Sequence, residues 1–263
     1  MIGLATPPPS YATPLPAPIP ISATPVPTTP APTGPIVLPS RRGWPKPIDD
    51  TQAFSALLVN VLEYQGLSDP GAVRYDLQGW YGGDRTKLWM KSESRLPSLP
   101  GGAREVEGQL LYSRLAASFF DVQAGVRFAP ALAGSPSRTY LALGLQGLAP
   151  YSYDVEPTLF LSQRGIPSFR FTGSYDFRLT QRLVLQPRLE INLSAAEDEP
   201  IGVGAGLSDA EAGLRLRYQI DREVAPYVGV DWMSSFGRTR VFAIRNGDPA
   251  SQSPLVAGLR LVL

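Results

Sequence analysis

The sequence of 263 residues contains neither cysteine nor histidine. Without cysteine the chain can form no disulfide, cysteine-zinc site, iron–sulfur cluster or thiol nucleophile. Without histidine it can form no Ser-His-Asp triad, no histidine-liganded zinc or copper centre and no imidazole proton shuttle. These two absences exclude most hydrolase classes, and we expect the protein to have no enzymatic activity.

Lysine is scarce, and the net charge is close to zero. The chain has 24 basic and 23 acidic residues, and only three of the basic residues are lysines (Lys46, Lys87 and Lys91), which leaves 21 arginines. A protein that binds nucleic acid through a basic face usually has a clear excess of positive charge, so that class of partner is disfavoured. Arginine suits fixed pairing with carboxylates in places that are partly shielded from water.

Long apolar runs are also absent. No stretch approaches the roughly 18 apolar residues that a membrane-spanning helix requires, which leaves a soluble protein or a closed membrane barrel. The first 40 residues carry no charged side chain and hold 13 of the 28 prolines. Since proline fixes φ and removes a backbone donor, we predict that residues 1–42 form a disordered, proline-rich tether and that residues 43–263 form the folded domain.

From residue 51 onwards, apolar and polar side chains alternate with the period of a β-strand. In Leu183–Leu193, for example, the leucines share one parity, while Arg188 and Glu190 share the other. Twelve strands are predicted in this way: Phe54–Gln65, Val73–Tyr81, Thr86–Arg95, Glu105–Arg114, Phe119–Phe128, Thr139–Leu148, Tyr153–Leu161, Phe169–Arg178, Leu183–Leu193, Ala210–Ile220, Tyr227–Met233 and Leu255–Leu263. Turns rich in glycine and proline separate them, as expected for meandering antiparallel strands.

The polar parity of these strands carries arginines and carboxylates rather than the lysine, serine and threonine of a sheet face in bulk water. Such a mixture suits a narrow lumen, where each charge finds a partner across the interior. The apolar parity is long enough to cross a bilayer at a tilt, and a closed barrel with an even strand number satisfies every backbone group in hydrocarbon. We therefore predict an all-β fold, a twelve-stranded antiparallel transmembrane β-barrel; the alternative is a soluble β-sandwich.

Two further features bear on this prediction. Pro157 and Pro187 fall inside predicted strands on the apolar parity, where each removes a ladder donor. Aromatic residues near strand ends are compatible with girdles at the two membrane interfaces; they are Trp80, Tyr112, Tyr153, Tyr175 and Trp232.

Sequence motifs that run in order along the predicted barrel match a known family. They include Gly43-Trp44-Pro45, Gly79-Trp80-Tyr81-Gly82-Gly83-Asp84, Leu111-Tyr112-Ser113-Arg114, Gln146-Gly147-Leu148-Ala149-Pro150-Tyr151, Leu183-Val184-Leu185-Gln186-Pro187-Arg188-Leu189-Glu190 and Val256-Ala257-Gly258-Leu259-Arg260. With these motifs the chain resembles the copper resistance protein B family of outer-membrane proteins. The resemblance implies a barrel in the cell outer membrane that is involved in copper tolerance, through binding or export of copper at the envelope.

The resemblance also implies copper ions as the ligand, the lipid bilayer as the surroundings and a periplasmic copper protein as a partner. Members of this family typically carry an N-terminal segment rich in methionine and histidine, which are good ligands for copper. This chain has a segment rich in proline, threonine and alanine there instead. The alternative function is therefore a general small-solute pore, or a structural outer-membrane barrel that has lost the metal role.

Two internal methionines remain as soft copper ligands. By parity, Met90 joins Leu88 on the lipid-facing side, whereas Met233 shares the parity of Asp231 and is predicted to face the lumen. Met233 and Asp231 are thus the candidate metal ligands, with ordinary packing of Met233 as the alternative. One thioether beside one carboxylate is a small ligand set for Cu(I), which generally takes two or more soft ligands. The acidic segment 195–200 is predicted to be a solvated loop tip.

Overall fold

The computed structural model describes residues 52–66, 71–97, 105–132 and 135–263. The predicted tether, residues 1–42, lies outside these described residues, and its disorder stays a prediction. Within the described part of the chain, no helix combines the length and the apolar character needed to cross a membrane.

Most of the described chain forms β-strands, and the sequence pattern predicted the twelve long ones close to their observed bounds. The strands are β1 (Phe54–Gln65), β2 (Ala72–Gly82), β3 (Thr86–Pro97), β4 (Glu105–Ala117), β5 (Phe120–Ala129), β6 (Arg138–Ala149), β7 (Tyr153–Ser162), β8 (Pro167–Ser174), β9 (Phe177–Arg178), β10 (Leu183–Ser194), β11 (Gly206–Tyr218), β12 (Val224–Ser235), β13 (Ser251–Gln252) and β14 (Leu255–Val262). The predicted strand Phe169–Arg178 is divided into β8 and the short β9, because the chain leaves the ladder between them. One helix, α1 (Gly237–Arg245), was not predicted.

The sheet closes on itself. Strand β1 pairs with both β2 and β14, and β12 pairs with both β14 and β11, so the twelve long strands form a continuous antiparallel ring. The two-residue strands β9 and β13 only extend the pairing of β10 and β12. A closed ring has no free edge, so neighbouring strands satisfy each other's backbone groups. The predicted twelve-stranded barrel is confirmed, and the alternative β-sandwich, with two separate sheets, is excluded.

Strand parity determines which side chains face outwards. Leu141, Leu143 and Leu159 lie on the outward parity and are 62%, 55% and 54% exposed. Pro157 and Pro187 also lie on the outward parity inside β7 and β10, as predicted, and their missing donors are accommodated without breaking either strand. The outer surface is therefore an apolar belt around the whole ring.

Of the five aromatic side chains predicted to form girdles, three are exposed on the outward side, Tyr175 is half-buried beside Tyr153, and Trp80 faces inwards. Tyr112, Tyr153 and Trp232 are exposed on the outward parity. Trp80 was predicted for the same girdle, and this prediction is wrong. Its ring lies inside the barrel with its centre 5.5 Å from Nζ of Lys87, because Trp80 falls on the polar parity of β2.

The interior is not uniformly charged. An apolar cluster of inward side chains consists of Leu111, Ala142 and Phe160, with Trp89 and Tyr140 packed against them. The guanidinium of Arg127 lies 5.0 Å from the ring centre of Tyr140 and 4.8 Å from that of Phe160. This cation–π stacking lets a charged side chain share the interior with apolar neighbours.

The two ends of the barrel differ in the length of their connections. At the end where β1 begins, the strands are joined by short turns such as residues 83–85 and 118–119, and we call this the turn end. At the other end, residues 195–205 contain a short 3₁₀ segment (Glu199–Ile201), and residues 236–254 contain α1 and β13. We call this the loop end.

Candidate functional site

The loop-end half of the barrel encloses a cavity of about 830 Å³, which we call the vestibule. Its wall includes inward side chains from strands around the ring, such as Ser168 of β8, Asn192 of β10 and Met233 of β12. Residues of the 195–205 connection and of α1 line it at the loop end. The strands build this cavity because every second side chain of each strand points into the lumen.

A network of alternating arginines and glutamates crosses the lumen at the inner end of the vestibule. This central charge network consists of Arg74, Glu107, Arg127, Arg170, Arg188, Glu190 and Glu211, which come from six strands. Arg170 binds Glu107 in a bidentate manner, with Nη1 donating to Oε1 at 2.8 Å and Nη2 to Oε2 at 3.2 Å. Arg188 donates to Glu190 at 2.8 Å and to Glu211 at 3.1 Å.

The central charge network connects strands that are not neighbours in the ring. The pair Arg170–Glu107 joins β8 to β4, and the pair Arg74–Glu211 joins β2 to β11. Glu93 adds a further carboxylate, 3.6 Å from Arg170, so four arginines face four carboxylates. A cation entering this layer would have to exchange places with an arginine, because each carboxylate already has one beside it.

A second set of charges is buried on the inward faces of β1, β11 and β12. This Arg215 cluster consists of Glu63, Gln65, Arg215, Tyr227 and Asp231. Arg215 donates to Glu63 through Nε at 3.1 Å and through Nη2 at 3.0 Å, and Nη2 also donates to Asp231 Oδ2 at 2.8 Å. Tyr227 Oη and Gln65 Nε2 donate to the same Glu63 carboxylate at 3.1 Å and 3.0 Å.

The inward position of Glu63 was not predicted from the sequence. Its strand looked irregular because Val59 and Val61 occupy the inward parity that is polar elsewhere, and both valines are buried. A register shift between these two valines disturbs the alternation further. The signal that could have found Glu63 is its two-residue spacing from Gln65, at the end of the same strand.

The candidate ligands Asp231 and Met233 both face the lumen, two residues apart on β12. Asp231 is fully buried, and its Oδ2 is occupied by Arg215. Met233 is buried as well, and its Sδ lies 2.8 Å from Nη1 of Arg95, which reaches across from β3. Met90 is 64% exposed on the outward side, as predicted. Metal ligation by Asp231 and Met233 stays a prediction, and both side chains already contact a guanidinium group.

No grouping of three or more Asp and Glu side chains suited to a metal ion occurs in residues 52–66, 71–97, 105–132 and 135–263. Ion pairs also occur in the turn-end half of the lumen. Lys91 lies 2.6 Å from Glu156, and Lys87 lies 3.3 Å from Asp121. Paired lumen charges were the expectation from sequence, and the described strands have them at every level of the barrel.

The acidic segment at the loop end is exposed, as its prediction as a solvated tip requires, except at Asp198. Asp198 is only 4% exposed. Nε and Nη2 of Arg138 donate to its two oxygens at 2.9 Å and 2.8 Å, and Nη1 of Arg164 donates to Oδ1 at 2.8 Å. These bonds from Arg138, opposed by burial, hold the pKa of Asp198 below its ordinary value. The burial of Asp198 could not be predicted, because both arginines come from elements far away in sequence.

Comparison with known protein families matches residues 53–263, the entire barrel, to the family described as copper resistance protein B precursor. The chain belongs to this family. Copper resistance protein B of Escherichia coli is 40% identical over 216 residues, which cover 81% of this chain and 71% of that protein. The copper resistance protein B homolog of Pseudomonas syringae pv. tomato is 41% identical over the same shares. The resemblance seen in the sequence motifs is confirmed.

Among solved structures, the NanC porin has the same fold. It aligns with a TM-score of 0.52 and 12% identity, over 79% of this chain and 99% of that chain. With its closed ring and apolar belt, this member of the copper resistance protein B family is an outer-membrane β-barrel. Barrels of this kind have short turns on the periplasmic side and longer loops outside, so the turn end faces the periplasm and the vestibule faces the exterior.

Proposed function

We propose that this barrel contributes to copper tolerance by binding copper ions in its lumen as they are exported across the outer membrane. Its membership of the copper resistance protein B family, across the whole barrel, is the observation that carries the proposal. The family assignment supports a role in copper resistance; binding and export are the steps that we add.

The chemistry of the lumen supports a path with weak, exchangeable contacts rather than a tight resident site. Carboxylate oxygens suit Cu(II), and a thioether suits Cu(I). On the vestibule wall, Asp209 supplies a carboxylate and Met233 supplies a thioether. At the central charge network a copper ion would replace arginines one at a time, which favours passage over storage.

Met233 is the candidate ligand with the clearest test. A copper ion can reach its sulfur only if Arg95 moves away, because Nη1 of Arg95 lies 2.8 Å from Sδ. In the proposal a periplasmic copper protein delivers the ion at the turn end. No catalytic step is involved, in keeping with a sequence that has no histidine or cysteine.

The primary experiment compares growth of the host strain with and without the gene across a copper series. We expect deletion to make cells more sensitive to copper, and the wild-type gene on a plasmid to restore tolerance. A zinc series on the same strains serves as the control for general envelope damage. Unchanged growth in copper, together with planar-bilayer conductance that does not respond to copper, would overturn the proposal in favour of a general pore.

The second experiment titrates the purified barrel with Cu(I) and Cu(II) in a calorimeter. Met233→Leu should weaken Cu(I) binding about tenfold or more, because it removes the only inward thioether of the described residues. Met90→Leu is the matched control, since that side chain faces lipid, and it should bind as the wild type does. Equal binding by both variants would exclude Met233 as a ligand while leaving the growth test unaffected.

A further inference from the structure

At the loop end, two described segments contact each other beside the vestibule. They are residues 195–205 and helix α1, and both line that cavity. Glu197 and Glu199 each pair with an arginine of α1: Glu197 with Arg238 at 3.0 Å and Glu199 with Arg245 at 2.8 Å. Asp198, between them, pairs away from the helix, towards the body of the barrel.

Further contacts also hold α1 against residues 195–205. Phe242 is buried, and the guanidinium groups of Arg238 and Arg245 lie 5.4 Å and 5.2 Å from the centre of its ring. The backbone N–H of Gly204 donates to Oγ1 of Thr239 at 2.8 Å. One side of the helix is therefore docked on residues 195–205.

The remaining sides of α1 have different surroundings. Thr239 and Ala243, one turn apart, line the vestibule. Val241 and Ile244 lie on another side and are exposed. The glycines at the two ends of the helix, Gly237 and Gly247, have φ of +52° and +85°, a region that other residues adopt at a cost. A helix bounded by two such glycines can swing without rearranging the strands that it connects.

The attachments of the two segments differ in strength. Asp198 is buried and accepts three charge-assisted hydrogen bonds, which are strong. The pairs Glu197–Arg238 and Glu199–Arg245 are between 42% and 59% exposed, and ion pairs so open to water contribute little and are screened by salt. Residues 195–205 are thus fixed to the barrel by strong buried bonds, while the two ion pairs that join α1 to them are weak.

We propose that helix α1 is a lid on the vestibule, hinged at Gly237 and Gly247, and that Glu197 and Glu199 hold it closed. The buried pairing of Asp198 fixes the surface against which the lid closes. Opening exchanges two exposed ion pairs and the Phe242 contact for hydration, so it responds to ionic strength. The lid governs the entry of any solute to the vestibule and does not depend on copper.

The absence of cysteine allows a direct test with a single reporter thiol. Ser168→Cys places it on the vestibule wall with little change in size, and a membrane-impermeant maleimide reports access to it. Adding Glu197→Gln and Glu199→Gln should speed labelling about 3- to 10-fold, the range expected for losing two exposed ion pairs. Exchanging the charges of one pair, by Glu199→Arg with Arg245→Glu, keeps an ion pair at this place. The labelling rate should then return towards that of the variant with Ser168→Cys alone.

Two further measurements complete the test. Raising the salt concentration should speed labelling of the reporter variant but not of the variant that also lacks both glutamates, because the screened pairs are already gone. Glu223→Gln, an exposed charge at the turn end, is the matched control and should leave the rate unchanged. Equal labelling rates in all variants, or a reporter that never labels, would overturn the lid. Either result would leave the copper-tolerance proposal untouched, since no copper is present.

Discussion

At the scale of single residues, the excess of arginine over lysine follows from the geometry of the lumen. Arg215 contacts Glu63 and Asp231 at once, and Arg170 grips both oxygens of Glu107. A planar guanidinium with five donors can do this, whereas an ammonium is a point charge on a flexible stem. Removing one member of such a buried pair leaves the other without compensation, so these arginines are costly to replace.

Gly213 offers a sharp test of how tightly the Arg215 cluster is packed. A Cβ at this position would lie 2.4 Å from Oδ1 of Asp231 and 2.5 Å from Nη1 of Arg215. We therefore expect Gly213→Ala to lower the free energy of unfolding by about 1–3 kcal/mol, since both charged groups must shift. Guanidinium titration of the barrel in lipid vesicles measures the change.

Gly108 provides the matched control for that substitution, because a Cβ there would meet nothing within 4 Å. Both glycines lie inside long strands, so the backbone effect of alanine is similar in the two. If Gly108→Ala and Gly213→Ala gave equal stabilities, the close packing of the Arg215 cluster would be disproved.

At the scale of elements, the strands could be predicted because parity is a local property of the sequence. Strand β10 was predicted as Leu183–Leu193, one residue short of its observed end, since its side chains alternate as its ladder requires. Helix α1 could not be predicted, because its nine residues show no clear amphipathic pattern and depend on contacts with residues 195–205. The burial of Asp198 could not be predicted either, because its partner Arg138 is 60 residues away in the chain.

The candidate site was partly predictable for the same reason. Parity placed Met233 and Asp231 in the lumen, and the structure has them there. It could not reveal that Arg95 and Arg215 occupy them, because those contacts cross from β3 and β11. Sequence periodicity gives the direction of a side chain but not its partner on another strand.

The anchoring of residues 195–205 leads to a prediction on pH. The pKa of Asp198 is lowered by its hydrogen bonds with Arg138. A carboxylate whose pKa is depressed in the folded state contributes stability that is present above its ordinary pKa and is lost as the pH falls through the depressed value. The ordinary pKa of an aspartate is about 4. We expect Asp198 to stay charged from neutral pH to below that value, so that residues 195–205 remain fixed to the barrel over this range.

Carbon-13 NMR of the aspartate carboxyl groups in micelles measures this titration, with the signal assigned by comparison with Asp198→Asn. A midpoint for Asp198 at or above that of an ordinary aspartate would contradict the anchoring described for this loop.

At the scale of the whole molecule, the barrel depends on a reversal of the usual protein interior. Most of its leucines face outwards in a continuous belt, and most of its arginines and carboxylates face inwards. In water this arrangement would expose the apolar belt, whereas in a bilayer the belt is solvated by lipid and the charges satisfy each other. The vestibule, the central charge network and the lid all require that the polar side chains face the lumen.

Quenching of tryptophan fluorescence by lipids with brominated acyl chains tests this orientation most directly. Two single-tryptophan variants are compared, one retaining Trp232, which faces outwards, and one retaining Trp89, which packs inside beside Lys91. Bromine quenches only a ring that it can approach, so Trp232 should be strongly quenched and Trp89 only slightly. Quenching of Trp89 as strong as that of Trp232 would contradict the placement of lipid outside and charge inside.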